Sequence, residues 1–206
     1  MPDALLLDWE GCIVDTAAMR QAAAQRALQE EGLTAGDAAA IDDVLAGIVA
    51  ARASRAFAER LGKGFLLMDG ARELLEAAQV TSRVAVVTRA TRSETEFVLR
   101  LAALDSVVSS IVTADDELDA WPSPASFATA IVQLSKRREV RADHSIAIAT
   151  SVDGLRSARA AMLRTVALGA PAHVALEADG AVDSLRGLTL PVLARIAGTP
   201  AAEHST

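Results

Sequence analysis

The stretch Ala4-Leu5-Leu6-Leu7-Asp8-Trp9-Glu10-Gly11-Cys12-Ile13-Val14-Asp15-Thr16 decides how the rest of the chain is read. A short apolar run is broken by an acid, and a glycine follows shortly after. Such a run, bounded by polar residues, reads as a strand buried on both faces, the kind found inside parallel sheets. Asp15 or Thr16 can cap the Ala-rich periodic segment that comes next. Asp8 therefore falls at the carboxyl end of a strand, where open α/β sheets collect their reactive groups. A carboxylate there loses hydration unless a metal, hydrogen-bond donors or water replace it. The plain alternative is that Asp8 and Glu10 are solvated loop acids.

Outward from this stretch, strands and helices alternate. Residues 16–31 predict a helix, with Met19, Ala23 and Ala27 at helical spacing and Gly32 as its stop. Residues 38–61 predict one or two more, carrying Ile41, Leu45, Ile48 and Phe57. Gly62-Lys63-Gly64 punctuates the chain, and nothing between positions 16 and 63 has strand character. Beyond it the pattern predicts helices over 71–78, 92–101, 126–134 and 155–162. Strands are predicted over 83–88, 110–113, 145–149 and 164–168. Pro122 and Pro124 bracket a loop ahead of the third of these helices. The alternation suits right-handed crossovers and an α/β fold with a mostly parallel sheet. Residues 1–15 and 65–200 are expected to form that core, 16–64 a small all-helical insert, and 201–206 a flexible tail.

Composition narrows the function classes. In 206 residues there is room for one sizeable core and a small insert. Although 51% of residues are hydrophobic, charges interrupt every run, and none approaches the roughly 20 residues that span a bilayer. Early acids argue against a secretion signal, so a cytoplasmic protein that does not enter membranes is expected. Cys12 is the single cysteine, which excludes an intrachain disulfide and a thiolate metal cluster. A net charge of −7 and 3% aromatics, with no tyrosine, argue against nucleic acid as a partner. His144 and His173 sit near predicted strand starts and His204 in the tail, so no zinc site is supported.

Three strand ends present polar groups: Asp8 with Glu10, Thr88 with Arg89, and Thr150-Ser151 followed by Asp153. In a parallel sheet these ends converge on one crevice. Asp8 can serve as a nucleophile. Glu10 can give a proton to a leaving group and later take one from water. Thr88 can donate to a phosphate oxygen, and Arg89 can neutralise it through a two-pronged contact. Asp153 can join Asp8 around Mg²⁺, which prefers oxygen ligands. Each role has a structural alternative. Thr88 and Asp153 can equally cap the helices that follow them, Arg89 can be a surface arginine, and Asp115 and Asp116 can form a solvated turn.

With these residues in place the chain resembles the haloacid-dehalogenase-like (HAD) superfamily. It is most similar to the phosphoglycolate-phosphatase and β-phosphoglucomutase-like branch, which carries a helical cap. The first motif, DxDGxxxDT, corresponds to Asp8 through Thr16, and its opening is also similar to the phosphonate-cleaving members. Val87-Thr88-Arg89 resembles the second motif, 111–116 with Trp121-Pro122-Ser123-Pro124 the third region, and 149–154 the fourth. Met68-Asp69-Gly70 resembles the return from the cap, and Asp183-Ser184-Leu185 the closing segment. The resemblance implies a Rossmann-like core, Mg²⁺, and hydrolysis of a small phosphorylated metabolite through an aspartyl-phosphate on Asp8. Glu10 would be the acid/base, and Gly11, Thr88 and Arg89 would bind substrate.

The departures fall on the chemistry. Glu10 stands where the family has aspartate, and its extra methylene moves the proton by about 1 Å, on the order of a hundredfold in rate. Trp121 replaces the third-motif lysine, and Ala149 and Thr150 replace the acids that hold Mg²⁺. Asp153, Arg89 or the insert arginines Arg20, Arg52 and Arg55 are candidates to compensate. Phosphonate cleavage wants a cap lysine, and Lys63 at the hinge is the single one near the insert. Three readings stay open: a divergent Mg²⁺-dependent phosphohydrolase, a non-catalytic member binding a protein partner or ligand, and a metal-independent hydrolase of another bond. A monomer and a homodimer are both compatible with the sequence.

Overall fold

The structure is a computed structural model describing residues 1–37, 40–116, 123–136 and 138–198. It divides into two compact units, one formed by Met1–Val14 with the chain from Leu67 onward, the other by Asp15–Leu66.

In the first unit, β1 (Ala4–Asp8), β2 (Arg83–Val87), β3 (Ser110–Val112), β4 (Ile146–Ala149), β5 (Arg164–Leu168) and β6 (Gly180–Val182) form one sheet in the order β3-β2-β1-β4-β5-β6. Every neighbouring pair is parallel. The apolar runs are explained by burial on both faces: Leu5, Leu6, Leu7, Val84, Val86, Ile146 and Ile148 are all fully inaccessible. Alternation assigns Leu6, Ala85, Val87, Val112 and Ala147 to one face, where Phe127, Ala130 and Leu134 of α5 (Ala125–Ser135) cover them. On this count Leu5, Leu7, Val84 and Val86 face the other way. Helix α3 (Ala71–Thr81), which contacts β2, buries Leu74, Leu75 and Ala78.

The remaining helices are α4 (Arg92–Leu101), α6 (Val152–Ala160), α7 (Ala172–Ala175) and α8 (Leu190–Ile196). The helices over 92–101 and 126–134 and the strand over 164–168 fall where the sequence predicts them. Strand β6 and helices α7 and α8 are additions. They are short, and β6 offers only Gly-Ala-Val as a signal. His173, expected near a strand start, lies instead in the one-turn α7 that follows β5.

The second unit holds α1 (Ala17–Glu30) packed on α2 (Asp43–Leu61), with no strand among its described residues. Ala23, Ala27, Leu28, Phe57 and Leu61 are its buried apolar positions. Asp42 caps α2 by accepting from the Leu45 N–H at 2.8 Å. Thr16 occupies the N-cap position of α1 without making the side-chain cap bond.

Candidate active site

The strand order reverses at β1, which lies between β2 and β4, and the carboxyl ends of these three strands border the crevice where such sheets place ligands. Asp8 is the last residue of β1 and pairs in register with Val87, so Thr88 and Arg89 emerge beside it. Leu7 pairs with Ile148 on the other side, bringing Ala149 and Thr150 to the same edge.

Half-buried, Asp8 has its carboxyl raised from 3.8 to about 6. Loss of hydration is the main cause, and the Glu10 carboxylate adds to it. The Trp9 backbone N–H, the charge of Arg89 and the Glu10 N–H pull in the opposite direction. The charges of Glu10 and Arg89 thus both act on Asp8, in opposite directions.

After Asp8 the chain turns back on itself. The Gly11 N–H donates to the Val14 carbonyl at 2.9 Å, and the Ile13 N–H to the Trp9 carbonyl at 3.1 Å. Trp9, Cys12, Ile13 and Val14 are buried, which anchors the turn in the core and keeps Glu10 half-exposed at its tip. Gly11 has φ +76°, which a side chain tolerates poorly, and a Cβ there would come within 2.9 Å of the Thr150 methyl. The Thr150 hydroxyl donates to the Glu10 carbonyl oxygen at 3.2 Å. Thr150 thus clamps the Glu10–Gly11 turn from β4, a role the sequence did not reveal because it depends on how closely the two strand ends approach.

The helix-cap alternatives resolve in favour of other residues. Thr91, not Thr88, caps α4, accepting from the Glu94 N–H at 3.3 Å. Ser151, not Asp153, caps α6 by accepting from the Gly154 N–H at 3.1 Å. Buried Thr88 accepts from the Ala90 N–H at 3.0 Å through its hydroxyl oxygen, so the hydroxyl proton can serve a second acceptor. Arg89 is exposed.

Asp153 is exposed in the first turn of α6, and its charge acts on Arg156. The residue that closes on Asp8 is Gly154, where a Cβ would stand 3.1 Å from Asp8 Oδ2. Among the described residues no three His, Cys, Asp or Glu side chains gather to hold a metal ion.

Asp115 is exposed and Asp116 half-buried in a short turn, as expected, and both are tied down by hydrogen bonds. Asp115 accepts from the Arg92 N–H at 2.6 Å, and Asp116 from the Thr113 N–H at 2.6 Å and the Arg92 guanidinium at 2.7 Å. Partial burial works against the Asp116 charge, but these bonds outweigh it and lower its carboxyl below the ordinary range. The pair ties the end of β3 to the start of α4. Of the insert arginines, Arg52 pairs with Glu31 at 2.8 Å and Glu30 at 3.4 Å, and Arg20 stacks 4.3 Å over the Phe57 ring. Trp121 lies outside the described residues.

Cys12 is fully buried, and its thiol donates to the Ile148 carbonyl at 3.5 Å. Burial, with a contribution from the Asp8 charge, holds that thiol well above its ordinary range. Cys12 is expected to remain unlabelled by a thiol-specific disulfide reagent in the folded protein and to react fully in denaturant. Rapid native labelling would contradict its placement.

The parallel sheet in this order, with an acid at the central strand's end and a helical insert after it, defines a doubly wound α/β fold of the kind that carries a helical insert after its first strand. The haloacid dehalogenase-like hydrolase family matches residues 5–168, and the chain belongs to it. Among solved structures it resembles CbbY from Rhodobacter sphaeroides in complex with phosphate, at 21% identity and a TM-score of 0.79, covering 94% of this chain and 99% of that one. β-Phosphoglucomutase (pgmB) from Clostridium difficile is similar at 14% identity and a TM-score of 0.79, covering 96% and 98%. A HAD-superfamily hydrolase of subfamily IA from Geobacter sulfurreducens gives 23% identity and 0.70, covering 90% and 97%. At these identities the likeness is one of fold. No curated protein matches the sequence. No helix among the described residues is long and apolar enough to cross a membrane.

Proposed function

We propose that the protein hydrolyses a small phosphorylated metabolite through an aspartyl-phosphate on Asp8, with residues 16–64 as the cap. The observation carrying this reading is the half-buried Asp8 carboxylate at the central strand end, under the charge of Arg89 and with Glu10 two residues on. The fold neighbour CbbY has been seen with phosphate and with xylulose-1,5-bisphosphate, which supports a phosphate ester as the substrate class.

In this scheme a carboxylate oxygen of Asp8 attacks phosphorus and the ester P–O bond breaks. The Glu10 carboxyl gives its proton to the departing alkoxide. Water then attacks the aspartyl-phosphate while the Glu10 carboxylate takes its proton, releasing inorganic phosphate and restoring Asp8. Thr88 and Arg89 hold the phosphoryl oxygens as charge shifts onto them. Family resemblance suggests Mg²⁺, but the described side chains do not fit a resident ion.

The test is turnover on a panel of small phosphomonoesters by the native protein and by Asp8→Asn. Turnover lost by at least about a thousandfold in the variant is expected, as for removal of a nucleophile. A second reading has its own observation: Ala149 and Thr150 are built into packing, which suits a member that binds without catalysing. Equal, background-level rates in both proteins would favour that reading.

A further inference from the structure

At the end of β4 the side chains are neutral from Ala149 to Val152, and the first carboxylate after them, Asp153, is exposed. Ala149 is a fully buried methyl group. The Thr150 hydroxyl donates to the Glu10 carbonyl, and its methyl lies against Gly11. Ser151 Oγ accepts from the Gly154 N–H as the cap of α6, and the charge of exposed Asp153 acts on Arg156. Magnesium needs near-octahedral oxygens, usually with one or two carboxylates and several waters. Here Asp8 finds backbone on the β4 side, because Gly154 stands against Oδ2. The donor set therefore disagrees with the ion that the family resemblance implies.

A fixed positive charge is nevertheless present. Arg89 follows Thr88 at the end of β2, two positions beyond the residue in register with Asp8. Its guanidinium acts on the Asp8 carboxylate. Arginine also presents a rigid donor fork suited to phosphoryl oxygens. We infer that Arg89 supplies the cation of this site, so that a phosphomonoester dianion is held between Arg89 and Thr88 beside Asp8 without a resident divalent ion. The inference rests on the phosphate-ester reading above and deepens it.

Calorimetric titration with inorganic phosphate tests it, using the native full-length chain, Arg89→Gln and Arg89→Lys, each in EDTA and in excess Mg²⁺. The expected result is native affinity unchanged within about twofold between the two buffers. Loss of a charge-assisted contact should weaken binding roughly ten- to a hundredfold in Arg89→Gln, with partial recovery in Arg89→Lys. Because Arg89 is exposed, unchanged thermal melting is expected to accompany the loss. Phosphate binding that requires Mg²⁺, native affinity in Arg89→Gln, or no binding in either buffer would each overturn the inference. Its failure is separable from failure of the proposed function: Mg²⁺-dependent turnover abolished by Asp8→Asn would leave the hydrolase standing while removing Arg89 from this role. Arg89-dependent phosphate binding without turnover would do the reverse.

Discussion

Replacing Asp8 with asparagine is expected to stabilise the protein at pH 8 by on the order of 3 kcal/mol, even as it removes the proposed nucleophile. The folded-state value of about 6 lies above the ordinary 3.8, chiefly because the carboxylate has lost water. Between those values the folded state binds more protons than the unfolded one, so stability falls as pH rises through that window. Above it the ionised side chain carries its full penalty, and below it the penalty vanishes. Asparagine does not titrate, so the variant's advantage should be complete at pH 8 and nearly absent at pH 4. Urea unfolding of both proteins at the two pH values reads this directly, since carboxylates remote from Asp8 contribute equally to each. Equal midpoints at pH 8 would mean that Asp8 is hydrated or paired more fully than its surroundings indicate. A chain selected for stability alone would not retain such an acid, and stability spent at one position is a mark of sites kept for chemistry.

The same burial argument separates what the sequence discloses from what it does not. Strands β1, β2 and β5 are legible because a strand buried on both faces must be apolar throughout, and Leu5-Leu6-Leu7 or Val84-Ala85-Val86-Val87 admits no other soluble reading at that length. Strand β6 is illegible because Gly180-Ala181-Val182 lies at the sheet's edge, with Ala181 exposed and its neighbours half-buried, and has no need of an apolar run. Asp8 stands out because an acid ending an apolar strand requires a reason.

Neither the clamp by Thr150 nor the approach of Gly154 to Asp8 could be read in the same way. Both are close contacts between distant segments, and small residues leave no periodic trace. Capping shows the limit in miniature. Thr88 and Thr91, or Ser151 and Asp153, are chemically equivalent candidates, and only the backbone geometry at Thr91 and Ser151 selects between them. Gly11 carries a partial signal: a glycine after an acid suggests a turn, while its partner Thr150 is fixed by the pairing of β1 with β4.

Gly70→Ala is expected to destabilise the fold by about 3 kcal/mol or more, the largest loss anticipated for a single methyl group. Gly70 sits at the N-cap of α3 with φ +82°, a left-handed backbone that costs an alanine about 1–2 kcal/mol before any contact is considered. A Cβ there would lie 2.5 Å from the Leu185 carbonyl oxygen and closer still to its carbon and to the Arg186 nitrogen. Those are backbone atoms, so no rotamer change relieves the overlap. The segment is also pinned by the bond from Arg186 Nε to Asp69 at 2.6 Å and by buried Leu185. Relief therefore requires moving either the start of α3 or the closing segment, at a further cost of about 1–3 kcal/mol. The displacement reaches the site, because Leu185, Met68, Gly11 and Thr150 line one cleft of about 280 Å³. A shift of Leu185 therefore reshapes the cleft that Gly11 also lines. Denaturant unfolding measures the stability loss. Phosphate titration of the variant, at a temperature where it remains folded, then measures how far the disturbance travels. A near-native midpoint would mean that the chain relaxes around position 70 without cost.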